Sequence, residues 1–426
     1  MPGLVLSLSS LLGGIAFLLL GNGLLGTVLG VRLADRGDGP LVSSLILGCY
    51  FVGLIVGSWR LSRVVLAIGH IRTFALLASV QAAATLGHAL TPSPVAWAAF
   101  RLIEGICMAG LFMCIESWLN DRATEESRGT VLSAYMISVY LAQGVGQLLL
   151  MTHDPRNFAL FAVASILVSL AVLPVVTTRL PSPELVAAPP FRPGRLMASS
   201  PTAFLGSAAS GLGLGALYAM GPLFAREIGF DRNGVALFMC AAILGGLVLQ
   251  WPLGRLSDRL DRRLVLQGVA VALGVVCVAI AFLAPGTETA VPTGGLGPFV
   301  ALAALFGSLI TVIYPVSVAL ANDRIAPGER VGVSGDLLLV NSVGSVVGPL
   351  VAAVLMELNG PVGLFVFEAL VAVGLGLVTL WRRRVREAPP EDQRPPFQPL
   401  PVPAPVAGEI EIQAPLSAPP DPETAP

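Results

Sequence analysis

Apolar positions run in long blocks along this chain, and polar positions gather in the short gaps between them. A helix that crosses a bilayer needs about 20 mostly apolar residues, because the hydrocarbon core is about 30 Å thick and each residue rises 1.5 Å. Twelve blocks reach that length: 9–31, 41–59, 73–91, 95–118, 129–151, 157–178, 201–225, 233–253, 264–284, 295–321, 331–356 and 362–381. The pattern predicts an all-α integral membrane protein with twelve transmembrane helices. An even number puts both termini on one side.

Composition agrees and narrows the class. Of 426 residues, 55% are hydrophobic and 12% charged, against about 25% charged in a soluble domain. A net charge of −1 argues against a nucleic-acid partner, which needs a basic surface. Every cationic residue is Arg. The stretches following the even-numbered spans hold 18 arginines up to Arg386, and the opposite gaps hold 5. Positive charge marks the cytoplasmic side, so an inner-membrane protein with both termini cytoplasmic is expected. The block at 9–31 exceeds a signal h-region of about 7–15 residues and reads as a retained first span.

The chain repeats itself. Asn120-Asp121-Arg122 follows the fourth span and Asn322-Asp323-Arg324 the tenth. Arg60-Leu61-Ser62-Arg63 follows the second, and Arg255-Leu256-Ser257-Asp258-Arg259 stands after the eighth. Two copies of a six-helix unit are expected, at 1–180 and 201–386. A cytoplasmic linker at 181–200 joins them. The segment 387–426 is rich in proline and poor in aromatics, so a disordered tail is expected there.

These features resemble the major facilitator superfamily, which implies two pseudo-symmetric six-helix bundles. Gly254-Arg255-Leu256-Ser257-Asp258-Arg259-Leu260-Asp261-Arg262-Arg263 resembles the superfamily's loop signature, with Asp261 where a second glycine is usual. The resemblance implies a tight turn at Gly254 and a latch between the halves carried by Asp258, Arg259 and Arg262. Asp258 would meet the positive N-terminal end of a neighbouring helix. In the first-half copy Arg63 replaces the acid, and Glu116 is a candidate to supply the carboxylate, against Arg60, Arg63 or Arg128. The strings Gly69-His70-Ile71-Arg72 and Glu116-Ser117-Trp118-Leu119-Asn120 resemble the YcaD-type branch of putative transporters, for which no substrate carries over.

Ionisable groups inside spans cost about 2.5–3.5 kcal/mol each and need a reason. Arg101 and Glu104 lie three residues apart in the fourth span, on one helix face. Arg101 and Gly105 resemble the superfamily's R-x-x-x-G motif, which implies proton movement. The alternative is a static ion pair that fixes packing. Tyr140, Gln143 and Gln147 form a stripe at i, i+3 and i+7 in the fifth span and would line a cavity or glue helices. Asn22, Tyr218, Tyr314 and Asn341 are further pathway candidates. The resemblance favours spans one, four, seven and ten as cavity walls. Glu368 in the twelfth span has no evident partner.

The five cysteines lie in apolar runs without a CxxC, and no histidine pair has metal spacing. No metal or cofactor is expected. No GxxxxGK[ST] loop appears, which excludes ATP as a driver by that motif. The expected protein is a monomeric secondary transporter of a small molecule, working by alternating access with protons as the coupling ion. The competing classes are a channel or sensor and a membrane-embedded enzyme. Neither a pore ring nor a catalytic constellation is visible.

Overall fold

The computed structural model describes residues 2–123, 127–177, 193–284, 295–323, 325, 330–385 and 397. Most of the linker expected at 181–200 and all of the tail except Phe397 lie outside the described residues. The first half runs α1 (Pro2–Asp35), α2 (Pro40–Ile68), α3 (His70–Leu90), α4 (Pro94–Arg122), α5 (Arg128–Leu148), a 3-10 turn (Leu149–Thr152), α6 (Ala159–Leu170) and α7 (Val172–Val176). A short α8 (Pro193–Ser199) precedes the second half. That half is α9 (Pro201–Glu227), α10 (Arg232–Gly245), α11 (Gln250–Arg259), α12 (Arg262–Leu283), α13 (Leu296–Asn322), α14 (Arg330–Asn359) and α15 (Gly363–Val385). Among the described residues, 12 stretches are long and apolar enough to cross a membrane. The sixth span is α6 with α7, and the eighth is α10 with α11.

Local chemistry sets the helix ends. Proline opens α2, α4 and α9, where its missing N–H leaves no helix bond unmade. Ser93 and Asp231 cap α4 and α10 by accepting from backbone amides. Gly69 alone joins α2 to α3, with φ at 84° and its N–H on the Val65 carbonyl. A side chain there would be strained.

The same helix pairs pack in both halves. Spans 1·5, 1·6, 2·4, 3·4 and 3·6 touch in the first half, and their counterparts 7·11, 7·12, 8·10, 9·10 and 9·12 touch in the second. Across the halves, α2 meets α14, α5 meets α10, and α1 meets α9. Exchanging the halves swaps the first two contacts and leaves the third in place, which is a pseudo-two-fold relation.

Small residues set the closest seams, as they must where lipid offers no hydrophobic drive between helices. Gly53 and Gly105 bring α2 onto α4, and Gly245 and Gly307 bring α10 onto α13. Gly344 and Gly348, the GxxxG preceding Pro349, pack α14 on the Ala208–Leu212 stretch of α9. Below, the proximal end is the one where residues 2 and 385 lie, and the distal end is opposite.

Candidate functional site

A cavity opens between the halves, with an empty volume of about 1150 Å³ counted through its open mouth. Its walls come from α1, α2, α4, α5, α9, α10 and α14. Asn22, Arg101, Gln143, Gln147, Tyr218 and Asn341 all line it. Thr27 donates to the Gln147 side-chain carbonyl, and the Gln147 amide donates to the Gln143 carbonyl at 3.0 Å. Asn341 donates to the Ser207 carbonyl at 3.2 Å and ties α14 to α9.

Two candidates fall elsewhere. Tyr140 is buried against Met136 and Ile243, where the crossing of α5 and α10 closes the stripe that Gln143 and Gln147 continue. Its ring fills the notch above Gly246, beside the break between α10 and α11. Tyr314 is buried among Leu196, Ala203, Val318 and Leu337, in the seam of α9 and α14. The tenth span contributes no residue to the described lining, while α2, α5 and α14 do. The expectation from the first-helix rule therefore fails for span ten.

Glu104 stands directly behind Arg101. Arg101 Nη1 donates to Glu104 Oε2 at 2.8 Å, and Thr85 of α3 donates to Oε1 at 3.3 Å. His88 Nδ1 lies 3.5 Å from Oε1 and 3.1 Å from the Ala84 carbonyl. The Arg101 guanidinium sits 4.3 Å above the Tyr50 ring. Glu104 is fully buried and Arg101 is 6% exposed. Residue typing alone missed Thr85, His88 and Tyr50. Thr85 and His88 had a signal, a polar stripe in the third span with Gln81, Thr85 and His88 at i, i+4 and i+7, whereas Tyr50 of the second span had none.

The distal end carries an ion pair and a hydrogen bond that join the halves. Asp35 of α1 accepts from Arg226 of α9 at 2.6 Å and from Arg156 at 3.4 Å. Glu357 of α14 accepts from the Leu41 amide at 3.3 Å. Arg32 reaches the Pro155 carbonyl at 2.7 Å and also the Arg156 carbonyl. Four of the five minority arginines lie at this end with defined work: Arg32, Arg36, Arg156 and Arg226.

At the proximal end several latch expectations need correction. Gly254 is not at a turn; it lies inside α11 with the Phe397 ring against it. The chain turns instead at Leu260 and Asp261. Asp261 replaces the family glycine because it caps α12, accepting from the Arg263 amide at 2.9 Å. Burial pushes the Asp261 carboxyl up, but hydrogen bonds and charge from Arg263 more than offset this and hold it below the usual range.

Among the described residues Asp258 meets no helix N-terminus. It accepts from the Phe397 amide at 2.8 Å and lies 3.3 Å from Arg262. Arg262 is buried and bonds Asp323, at the end of α13, at 3.0 Å. These contacts brace the second half internally. Arg63, inside α2, and Arg259, the last residue of α11, are exposed and make no ion pair among the described residues. Glu116 accepts from Tyr135 of α5 at 2.7 Å, and the Arg128 side chain lies outside the described residues. His70 and Trp118 pack at 5.2 Å between ring centres, so the two strings that carry the branch resemblance meet.

The chain matches the Major Facilitator Superfamily over residues 11–296 and 203–418. It is 28% identical over 357 residues to the uncharacterized MFS-type transporter YcaD of Escherichia fergusonii, covering 82% of this chain and 88% of that one. Its fold resembles the nucleoside transporter NupG, with a TM-score of 0.74 at 15% identity, over 90% of this chain and 100% of that one. It also resembles a bacterial homologue of the human lysosomal transporter Spinster, in an inward-facing and unoccupied conformation. That TM-score is 0.68 at 16% identity, over 90% and 99% of the two chains. At such identity the likeness concerns fold alone.

Proposed function

This chain belongs to the major facilitator superfamily and is a multi-pass transmembrane transporter, and from that premise we propose that it is a proton-coupled secondary transporter working by alternating access. The observation that carries the reading is the buried Arg101–Glu104 pair on the cavity wall. While Arg101 holds Glu104, the carboxylate has its counter-charge. When the guanidinium turns to a substrate, an unpaired carboxylate in the bundle would cost several kcal/mol. Taking up a proton removes that cost. Substrate and proton occupancy are thereby linked through one side chain.

The cavity between pseudo-symmetric halves is the arrangement that rocking about a midplane site requires. The Asp35–Arg226 bridge would hold the distal end shut in this state, and breaking it would accompany distal opening. The 18 to 5 arginine split supports a proximal end on the cytoplasmic side of the inner membrane. The working unit proposed is the monomer.

Reconstitution tests the coupling. Proteoliposomes receive a pooled metabolite extract under an imposed pH gradient, and lumenal solutes are read by mass spectrometry. Wild type is expected to accumulate a solute, saturably and sensitive to a protonophore. Glu104→Gln is expected to keep exchange of that solute and lose accumulation. Undiminished gradient-driven accumulation by Glu104→Gln would overturn the assignment and leave the static ion pair.

A further inference from the structure

We propose that the cavity takes an organic monocarboxylate, gripped by the free edge of the Arg101 guanidinium, with its apolar body against Phe51, Phe112 and Met239. The proposal rests on the transporter reading above and names the substrate class of that same site.

The first support is the charge inventory of the walls. Among the described lining residues Arg101 is the sole formal charge, and no Asp, Glu, His or Lys lines the cavity. A cationic ligand would meet Arg101 with no acid in the wall to hold it. Its counter-charge, Glu104, is fully buried behind and does not line the cavity.

The second support is how the guanidinium is used. Its Nη1 corner is committed to Glu104, and its face to Tyr50. Nε is buried and has no hydrogen-bond partner. No described residue bonds Nη2. The Nε–Nη2 edge is therefore the unspent side of the fork. Two parallel N–H groups on one edge match the two oxygens of a carboxylate. A buried donor left unmet is disfavoured, and a charged acceptor satisfies it best.

The third support is the rest of the wall. Leu19, Leu54, Val139 and Leu214 join Phe51, Phe112 and Met239 as apolar lining. Gln143, Ser342 and Ser345 add hydrogen-bonding groups to the lining. An inorganic anion would leave that apolar surface uncovered. An amphipathic carboxylate covers it and meets Arg101 at one end.

Charge balance then fixes stoichiometry. One carboxylate takes over Arg101 and one proton neutralises Glu104, so the loaded carrier gains no net charge. The other titratable groups facing this pair are His88 from α3, Cys49 and Tyr50 from α2, and Cys107 on α4 itself. From α1 the facing group is the uncharged Asn22.

The experiment uses the full chain purified in detergent. Hexanoate, benzoate and phenylacetate are each tested beside the corresponding amide and primary amine, by the shift in thermal unfolding midpoint. Carboxylates near saturation are expected to raise the midpoint by about 3 °C or more, and the amides and amines by less than a third of that. Arg101→Gln is expected to abolish the shift. Arg101→Lys, which keeps charge but loses the fork, is expected to weaken binding about tenfold, and it covers the case in which Arg101→Gln does not fold. A pH indicator in weak buffer is expected to report one proton taken up per carboxylate bound in wild type, and none in Glu104→Gln.

Equal shifts by amides or amines overturn the proposal, as does the absence of a shift with every carboxylate. Arg101-dependent carboxylate binding without proton uptake keeps the substrate class and refutes proton coupling. Gradient-driven accumulation of a neutral or cationic solute, with no carboxylate binding, refutes the class and keeps the coupling.

Discussion

Each half of this transporter buries a glutamate in mid-span, Glu104 and Glu368, and the two are held in opposite ways. Glu104 in the first half is surrounded by Arg101, Thr85 and His88. Glu368 in the second half is 1% exposed, and among the described residues neither of its oxygens has a hydrogen-bond partner. It lies against Gly213 of the cavity helix α9, away from the cavity itself. Burial is therefore the same, and only the partners differ. Burial of an acid does not identify a working site in a membrane bundle. What separates the two glutamates is a partner that also faces the cavity.

The largest effect should come from making Glu104 resemble Glu368. Arg101→Leu leaves a buried carboxylate unpaired and is expected to cost about 3 kcal/mol of stability and to abolish transport. The double variant Arg101→Leu/Glu104→Leu should recover most of that stability and none of the transport. Unfolding in a defined detergent and proteoliposome uptake read both. Equal losses in the single and double variants would show that the pair is not an energetic unit.

A smaller effect should come from crowding Glu368. A Cβ on Gly213 would stand 2.7 Å from Glu368 Oε2 and 2.7 Å from Ile310 Cδ1. Gly213→Ala is expected to cost about 1–2 kcal/mol, and less in a Glu368→Ala background. A cost independent of Glu368 would mean that Ile310 alone resists the methyl group.

The loops contrast in the same way. A single glycine turns α2 into α3, whereas Asp261 caps α12. Asp261→Ala is expected to cost about 1 kcal/mol at neutral pH. The folded carboxyl sits below its ordinary value of 3.8, so its contribution is complete above that pH and is lost as pH falls through the folded value. The gap between wild type and variant should therefore close below about pH 4. A gap that widens on acidification would reverse the assignment.

The smallest effect is expected at Glu368 itself. Glu368→Gln keeps shape and removes the acid, and should change stability by less than about 0.5 kcal/mol, the usual limit for a harmless substitution. Gradient-driven uptake should be unchanged. Loss of uptake would give the second half an acid–base role that its missing partners argue against.

What could be read along the chain was what lies within one helix or one turn. The twelve spans follow from block length, and the Arg101–Glu104 pair from an i, i+3 spacing that fixes both groups on one face. The repeat was visible in the paired loops, and the helix packing repeats accordingly. The loop signature was legible as a motif but not as a contact. Asp258 and Arg262 find Phe397 and Asp323, partners that no spacing announces. His88 and Thr85 stand in a polar stripe of the third span that names no partner, and only the packing of α3 on α4 sets them on Glu104.

The sequence by itself determined class, span count, family and the Arg101–Glu104 pair within one helix, because hydropathy and helical periodicity are local. Tertiary structure alone decided which polar faces meet. It left Tyr140 and Tyr314 in seams, set Gln143 and Asn341 on the cavity, and joined Asp35 to Arg226 across the halves. The reason is physical. A span that is apolar nearly all round carries no strong signal for its rotation about its own axis. In a bilayer that rotation is set by close packing of small residues between helices distant in the chain.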